Sequence, residues 1–245
     1  MSLVEEFDKT GNWFFKYRSY LPVALFPIAS LVIYLEYKKD FLVSDIRWSL
    51  VCLLISLIGL LIRVLVIGFM PKGTSGRNTS KQVAETLNTK GIYSVVRHPL
   101  YLGNFLMWLG IILYVNNLWF AIAGILLFWL YYERIMFAEE QFLKRKFGEQ
   151  YLAWSLKTPA FIPNFKGWQD PDLEFSIKNV LKREYNGFFA IGISFAYLNV
   201  LKNYVELDKF EISKLWLYTV ILTFVIFIVL RTLKKTTKVL NVKGR

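Results

Sequence analysis

Six blocks of apolar residues, at 20–37, 48–70, 100–115, 118–137, 187–201 and 215–230, alternate with loops rich in Lys and Arg. A helix needs about 20 mostly apolar residues to cross a bilayer core, and hydrocarbon tolerates only backbone that satisfies its own hydrogen bonds. The pattern therefore predicts an all-α fold, a polytopic transmembrane bundle of about six spans (five to seven). The third and fifth blocks are short for a bilayer, so they are expected to be tilted, partly interfacial or longer than their apolar cores. Only Asn116 and Asn117 separate the third block from the fourth, which predicts a tight helical hairpin.

Charge gives the orientation. With six spans both termini share a side, and the segments on that side hold 23 Lys and Arg residues against 6 on the other, with Arg63 inside the second block. The positive-inside rule then places both termini and the two long loops in the cytoplasm. The lead-in "MSLVEEFDKTGNWFFKYRSY" has two early glutamates and no basic opening, so it reads as an amphipathic interfacial segment rather than a cleavable signal. One cysteine, Cys52, and one histidine, His98, exclude a disulfide framework and a multi-cysteine metal site. Cys52 reads as a small lipid-facing or packing residue.

Three segments organise the chain: 1–75 with the first two spans, 76–163 with the chemistry-bearing motifs, and 164–245 with a linker and two further spans. A short helical stretch is expected around Ser80 to Leu87. "ERIMFAEEQFLKRKFGEQYLAW" is expected to carry the fourth helix into the cytoplasm, until "KTPAFIPNF" ends it with two prolines.

Three groups of residues carry possible chemistry. In "GIYSVVRHPLYLGN", Pro99 pushes His98 out of the helical region and itself begins the third helix. Arg97 and His98 then sit at a helix N-terminus, which favours anions. The alternative is that Arg97 belongs to the positive-inside set and His98 is a local cap. Glu139-Glu140 can hold ribose hydroxyls or an amino group, or pair with Arg97; otherwise they form a solvated face, with Glu140 opposite Lys144. Arg63, at membrane depth, either faces a cavity or partner or snorkels to the interface. "GTSG" lacks the flanking pattern of a dinucleotide-binding turn.

Together these residues resemble the isoprenylcysteine carboxyl methyltransferase and phospholipid methyltransferase family of membrane enzymes. The matching positions are Gly91, Tyr93, Arg97, His98, Pro99, Tyr101 and Gly103, then Glu139, Glu140, Leu143, Phe147, Gly148, Tyr151 and Trp154. Trp154 stands where the pattern ends in Tyr, and the likeness covers roughly Gly76 to Pro163. The resemblance implies an S-adenosylmethionine-dependent methyltransferase that releases S-adenosylhomocysteine. It implies cofactor contacts from Gly91, Tyr93, His98, Pro99, Tyr101, Gly103, Glu139 and Glu140, and catalytic roles for Arg97, Glu139 and Glu140. It implies no metal and no nucleic acid. The implied acceptor is a membrane lipid or lipid-anchored group with an anionic head: a lipid phosphate, a phospholipid or a prenylcysteine. Two alternatives stay open. NADPH-dependent sterol and steroid reductases carry a similar R-H-P-x-Y-x-G loop, and a scaffold or lipid transporter would bind no cofactor.

Overall fold

The computed structural model describes residues 2–37, 45–71, 73–74 and 82–244. Eight α-helices are present among them: α1 Leu3–Tyr17, α2 Leu25–Tyr37, α3 Ile46–Phe69, α4 Pro99–Tyr114, α5 Leu118–Phe147, α6 Glu149–Ser155, α7 Ile177–Leu207 and α8 Lys214–Thr236. Strands are absent among the described residues, apart from isolated bridges at Thr74–Ala84 and Gly91–Gln169. The fold is all-α, as the long apolar blocks predict.

All six apolar blocks are helical. Helices α3, α5, α7 and α8 are each long and apolar enough to cross a membrane, and α1 with the segment Leu21–Glu36 makes a further candidate, bent by 77°. Helix α4 is a shorter apolar helix. The fifth block proves to be the apolar middle of the 31-residue α7. The outer faces carry exposed Leu54 and Leu61 on α3, Leu126 and Leu130 on α5, and Leu222 and Val229 on α8. Exposed apolar surface on this scale is what lipid covers. The chain is an integral membrane protein.

Local chemistry sets the helix ends. Asn117 starts α5 by accepting the Phe120 amide at 2.7 Å, and Asn116 takes a positive φ of 63°, so the two asparagines close the expected hairpin. Pro99 occupies the first position of α4, where its missing N–H costs nothing. Gly148, at φ 51°, ends α5 and turns the chain into α6, a conformation glycine adopts without a Cβ penalty.

Two expectations fail. The fourth helix does not run unbroken to the prolines: it ends at Phe147, and Gly148 turns the chain into the separate α6. Of the helix read around Ser80 to Leu87, the described residues 82–87 are not helical, and Ser80 and Lys81 lie outside the described residues. Ala84 instead bridges to Thr74, and the Glu85 amide donates to the Gly73 carbonyl at 3.0 Å. The backbone there bonds to a neighbouring segment rather than to its own next turn.

Helix packing explains several small residues. Helices α3 and α4 make the most extensive pairing. A Cβ on Gly103 would lie 2.6 Å from Arg63 Cγ and 2.8 Å from the Gly59 carbonyl, and a Cβ on Gly110 would strike the Cys52 carbonyl. Ser56 Oγ donates across the seam to the Met107 carbonyl at 2.8 Å. Small residues and a hydroxyl thus let two helices approach where lipid provides no hydrophobic drive between them. Buried Cys52 belongs to this seam, so it packs between helices and does not face lipid. Helix α1 lies on α5, with Gly11 against the Arg134 carbonyl, the Arg134 guanidinium 3.2 Å from the Phe7 ring centroid, and Asp8 paired with Arg145 at 2.9 Å. Helices α7 and α8 pair through Phe195, stacked on Trp216 at 4.6 Å.

Candidate functional site

The bend before α4 and the far end of α5 meet. His98 is the N-cap residue of α4, yet its ring makes no capping bond. It is buried and turns to α5 instead, with Nε2 2.9 Å from Glu140 Oε1 and Nδ1 3.7 Å from Glu139 Oε2. An ionised carboxylate only accepts, so the proton of the shorter contact sits on Nε2. Arg97 reaches the same Glu140 oxygen, Nε to Oε1 3.1 Å, and donates from Nη1 to the Ser155 carbonyl at 3.1 Å. Of the arrangements read for the glutamates, pairing with Arg97 is present at Glu140. One carboxylate oxygen gathers both basic side chains of the R-H-P loop.

The loop is held from behind. The Arg97 amide donates to the Pro159 carbonyl at 2.9 Å, the His98 amide to Ala160 at 3.1 Å, and the Asn164 amide to Val95 at 2.9 Å. The "TPAFIP" exit is thus a strap along residues 95–98. Trp154 contributes too: its Nε1–H donates to the Tyr93 carbonyl at 3.0 Å.

A cavity of about 310 Å³ opens here. Tyr93, Arg97, His98, Pro99, Tyr101 and Glu139 line it, with Trp154, Arg18 and residues 82–84 and 86–88. From Pro99 to Trp108, which also line it, α4 rises about 14 Å at 1.5 Å per residue. The cavity therefore runs from the helix N-terminus toward membrane depth. Its deeper lining is Arg63, Asn104, Met107, Trp108 and Tyr132.

The other candidate residues stand differently. Glu140 lies behind His98 and Arg97, holding them rather than lining the cavity. Gly103 packs against Gly59 and Arg63 on α3. Gly91, at φ 60°, exchanges backbone contacts with Gln169 and lines a second cavity of about 320 Å³ with Lys90, Pro171 and Asp172. Burial pushes the Tyr93 phenol upward, with nearby Glu139 adding to it. Burial does the same at Tyr151, reinforced by Glu140. Both phenols therefore stay neutral.

Sequence reasoning missed Glu184. Arg63 does not snorkel to solvent: its Nε donates to Glu184 Oε2 at 2.8 Å, Nη2 to Glu184 Oε1 at 2.9 Å and Nη1 to Asn104 Oδ1 at 2.7 Å. Asn104 Nδ2 in turn donates to the Tyr132 hydroxyl at 3.1 Å. The pair joins α3 to α7, from the segment whose role the sequence left unread. The only local signal was a glutamate at the start of an apolar run, in "KREYNGFF".

Comparison with known proteins follows the same residues. Residues 48–150 match the family model described as phospholipid methyltransferase. Protein-S-isoprenylcysteine O-methyltransferase B of Arabidopsis thaliana is 39% identical over 79 residues, 31% of this chain and 39% of that protein. The Schizosaccharomyces pombe protein-S-isoprenylcysteine O-methyltransferase is 33% identical over 95 residues, 36% of this chain and 40% of that protein. The nickel-cobalt-cadmium resistance protein NccN of Alcaligenes xylosoxydans xylosoxydans is 28% identical over 148 residues, 60% of this chain and 63% of that protein. The chain thus spans about two fifths of the length of the first two relatives. No solved structure matches. The family found is the one the two motifs pointed to.

Proposed function

We propose that this chain, akin over residues 48–150 to the phospholipid methyltransferases and over 79 residues to an isoprenylcysteine methyltransferase, is an S-adenosylmethionine-dependent methyltransferase acting on a lipid or lipid-anchored acceptor. The observation that carries the reading is the convergence of Arg97 and His98 on Glu140 at the mouth of a cavity that continues into the bundle. A water-soluble donor enters at the loop end, and a membrane-borne acceptor reaches the deeper end. The excess of Lys and Arg puts the loop end, with both chain termini, on the cytoplasmic face. A bacterial inner membrane fits that arrangement.

The residues present suit such a donor. Leu100, in the first turn of α4, lines the cavity, and the partial positive charge of that helix end favours a carboxylate. Glu139 places negative charge in the wall, which favours a cationic centre nearby. Tyr93, Tyr101 and Trp154 offer aromatic surface to an adenine-like ring. His98, Pro99 and Tyr101 would hold the donor, with Gly91 and Gly103 shaping the backbone and seam around them. When bound, S-adenosylmethionine supplies a sulfonium methyl group open to in-line attack.

The protein's own part is positioning. Arg97, fixed by Glu140 and the Ser155 carbonyl, presents the rest of its guanidinium fork to an acceptor carboxylate or phosphate. An acceptor already ionised requires no base. An amine acceptor would require one, and Glu139 is the carboxylate in the cavity wall. The acceptors favoured are a prenylcysteine carboxylate, a lipid phosphate or a phospholipid head, since the basic face attracts anionic headgroups at about 1 kcal/mol per nearby Lys or Arg.

The test is transfer of labelled methyl from S-adenosylmethionine by purified protein in vesicles of phosphatidylethanolamine and phosphatidylglycerol, with and without N-acetyl-S-farnesylcysteine. Label in the organic extract, absent with Arg97→Ala, supports the reading. Equal label from wild type and Arg97→Ala contradicts the site.

A further inference from the structure

The deep end of the cavity is built from groups that neither motif contains. Arg63 is held by both oxygens of Glu184 and by Asn104, and Asn104 holds the Tyr132 hydroxyl. Arg63, Asn104 and Tyr132 line the cavity, whereas Glu184 does not. Glu184 therefore neutralises the guanidinium from behind. Its two bonds and the one to Asn104 use three of the five guanidinium N–H groups. One N–H on each terminal nitrogen is left, and the Tyr132 hydroxyl, which accepts from Asn104, keeps its own proton to donate. The Arg63–Glu184 pair is thus rich in donors and has no net charge. Next to it the lining turns apolar, at Met107 and Trp108.

Resting on the methyltransferase reading, we propose that Arg63 and Tyr132 form a lipid subsite. It binds an uncharged carbonyl oxygen, ester or amide, at the junction between the head and the hydrocarbon chain of the acceptor. A second anion does not suit a guanidinium already paired with a carboxylate, whereas a carbonyl accepts hydrogen bonds without adding charge. The position suits that junction: Arg63 lies about two turns inside the end of α3, below the loop that holds Arg97. Because Glu184 comes from α7, the part of the chain outside the family match completes this subsite. The segment that follows the shared motif thereby takes part in choosing the acceptor.

Arg63→Lys keeps the charge opposite Glu184 but loses the fork. Tyr132→Phe keeps the ring that packs on Phe128 at 4.5 Å and loses only the hydroxyl. Detergent-purified full-length protein would be titrated by native mass spectrometry with phosphatidylglycerol, phosphatidylethanolamine and N-acetyl-S-farnesylcysteine, each of which has such a carbonyl. Thermal unfolding and S-adenosylhomocysteine affinity would be measured on the same samples. The expected result is a loss of about tenfold in affinity for at least one probe in both variants, with S-adenosylhomocysteine affinity within about twofold of wild type. A purely structural pair would leave the Tyr132→Phe titration unmoved. Unchanged affinity for all three probes, or no saturable binding of any by wild type, overturns the proposal. If wild type binds no S-adenosylhomocysteine while the variants still lose lipid, the methyltransferase reading fails and the lipid subsite stands.

Discussion

His98 Nε2 lies 2.9 Å from Glu140 Oε1, so the single histidine of the chain is bonded to the helix beyond the hairpin and not to its own helix start. Arg97 Nε shares the same oxygen at 3.1 Å. Glu140→Ala should therefore free both loop side chains at once. Turnover should fall by roughly a hundredfold or more, comparable with removing a preorganised transition-state contact. Glu140→Gln should retain part of the activity, because its amide oxygen still accepts. Comparison of initial rates for wild type and the two variants checks this; equal rates would remove Glu140 from the site.

The Arg63–Glu184 pair yields a stability prediction. Glu184→Leu leaves a largely buried guanidinium without its carboxylate, and should cost about 3–5 kcal/mol. Arg63→Met combined with Glu184→Leu should recover much of that loss, because no buried charge remains. Thermal unfolding in detergent of the two single variants and the double variant checks the coupling. Additive losses would contradict it.

The α3–α4 seam gives another. A methyl on Gly103 meets Arg63 Cγ at 2.6 Å and the Gly59 carbonyl at 2.8 Å, and the carbonyl is backbone that cannot swing aside. Gly103→Ala should lower stability by about 1–3 kcal/mol through overpacking. A melting temperature equal to wild type would show that the seam has slack.

Trp154→Phe tests the bond between Trp154 and the Tyr93 carbonyl. A six-membered aromatic ring remains, but the rest of the indole and the Nε1–H bond to the Tyr93 carbonyl are lost. A cost of about 0.5–1.5 kcal/mol is expected. It should appear with weaker cofactor binding, because Tyr93 lines the cavity. Calorimetry and thermal unfolding of the same sample read both effects.

Orientation is testable with one new thiol. Cys52 is buried, so it provides little background for maleimide labelling. Asp170→Cys lies in an exposed stretch of the linker between α6 and α7. It should react with a membrane-impermeant maleimide in inside-out vesicles and not in intact cells. The reverse pattern would invert the topology.

Much of this architecture was legible because membrane helices announce themselves by continuous apolar runs. Pro99 as a helix start and the Asn116-Asn117 turn were readable from local stereochemistry alone. The meeting of Arg97 and His98 with Glu140 was open to a reader of the two motifs, because the hairpin between them has only one way to fold back. The Arg63–Glu184 contact was not legible: 121 residues separate the partners, and nothing local in α7 distinguishes its glutamate from a solvated one. Gly103 sits inside the motif yet packs on Gly59, since a motif records that a glycine is needed and not which neighbour needs it. Residues 82–87 misled because their composition permits a helix, while their backbone partners lie on another segment.

The central claim is that the cavity beside His98 takes a methyl donor. Calorimetric titration of the lipid-supplemented, detergent-solubilised protein with S-adenosylhomocysteine, and separately with NADPH, tests it most directly. The account predicts saturable binding of S-adenosylhomocysteine, weakened at least tenfold by His98→Ala, and no binding of NADPH. Saturable binding of NADPH, with none of S-adenosylhomocysteine, would contradict it and move the chain to the reductases that share its R-H-P loop.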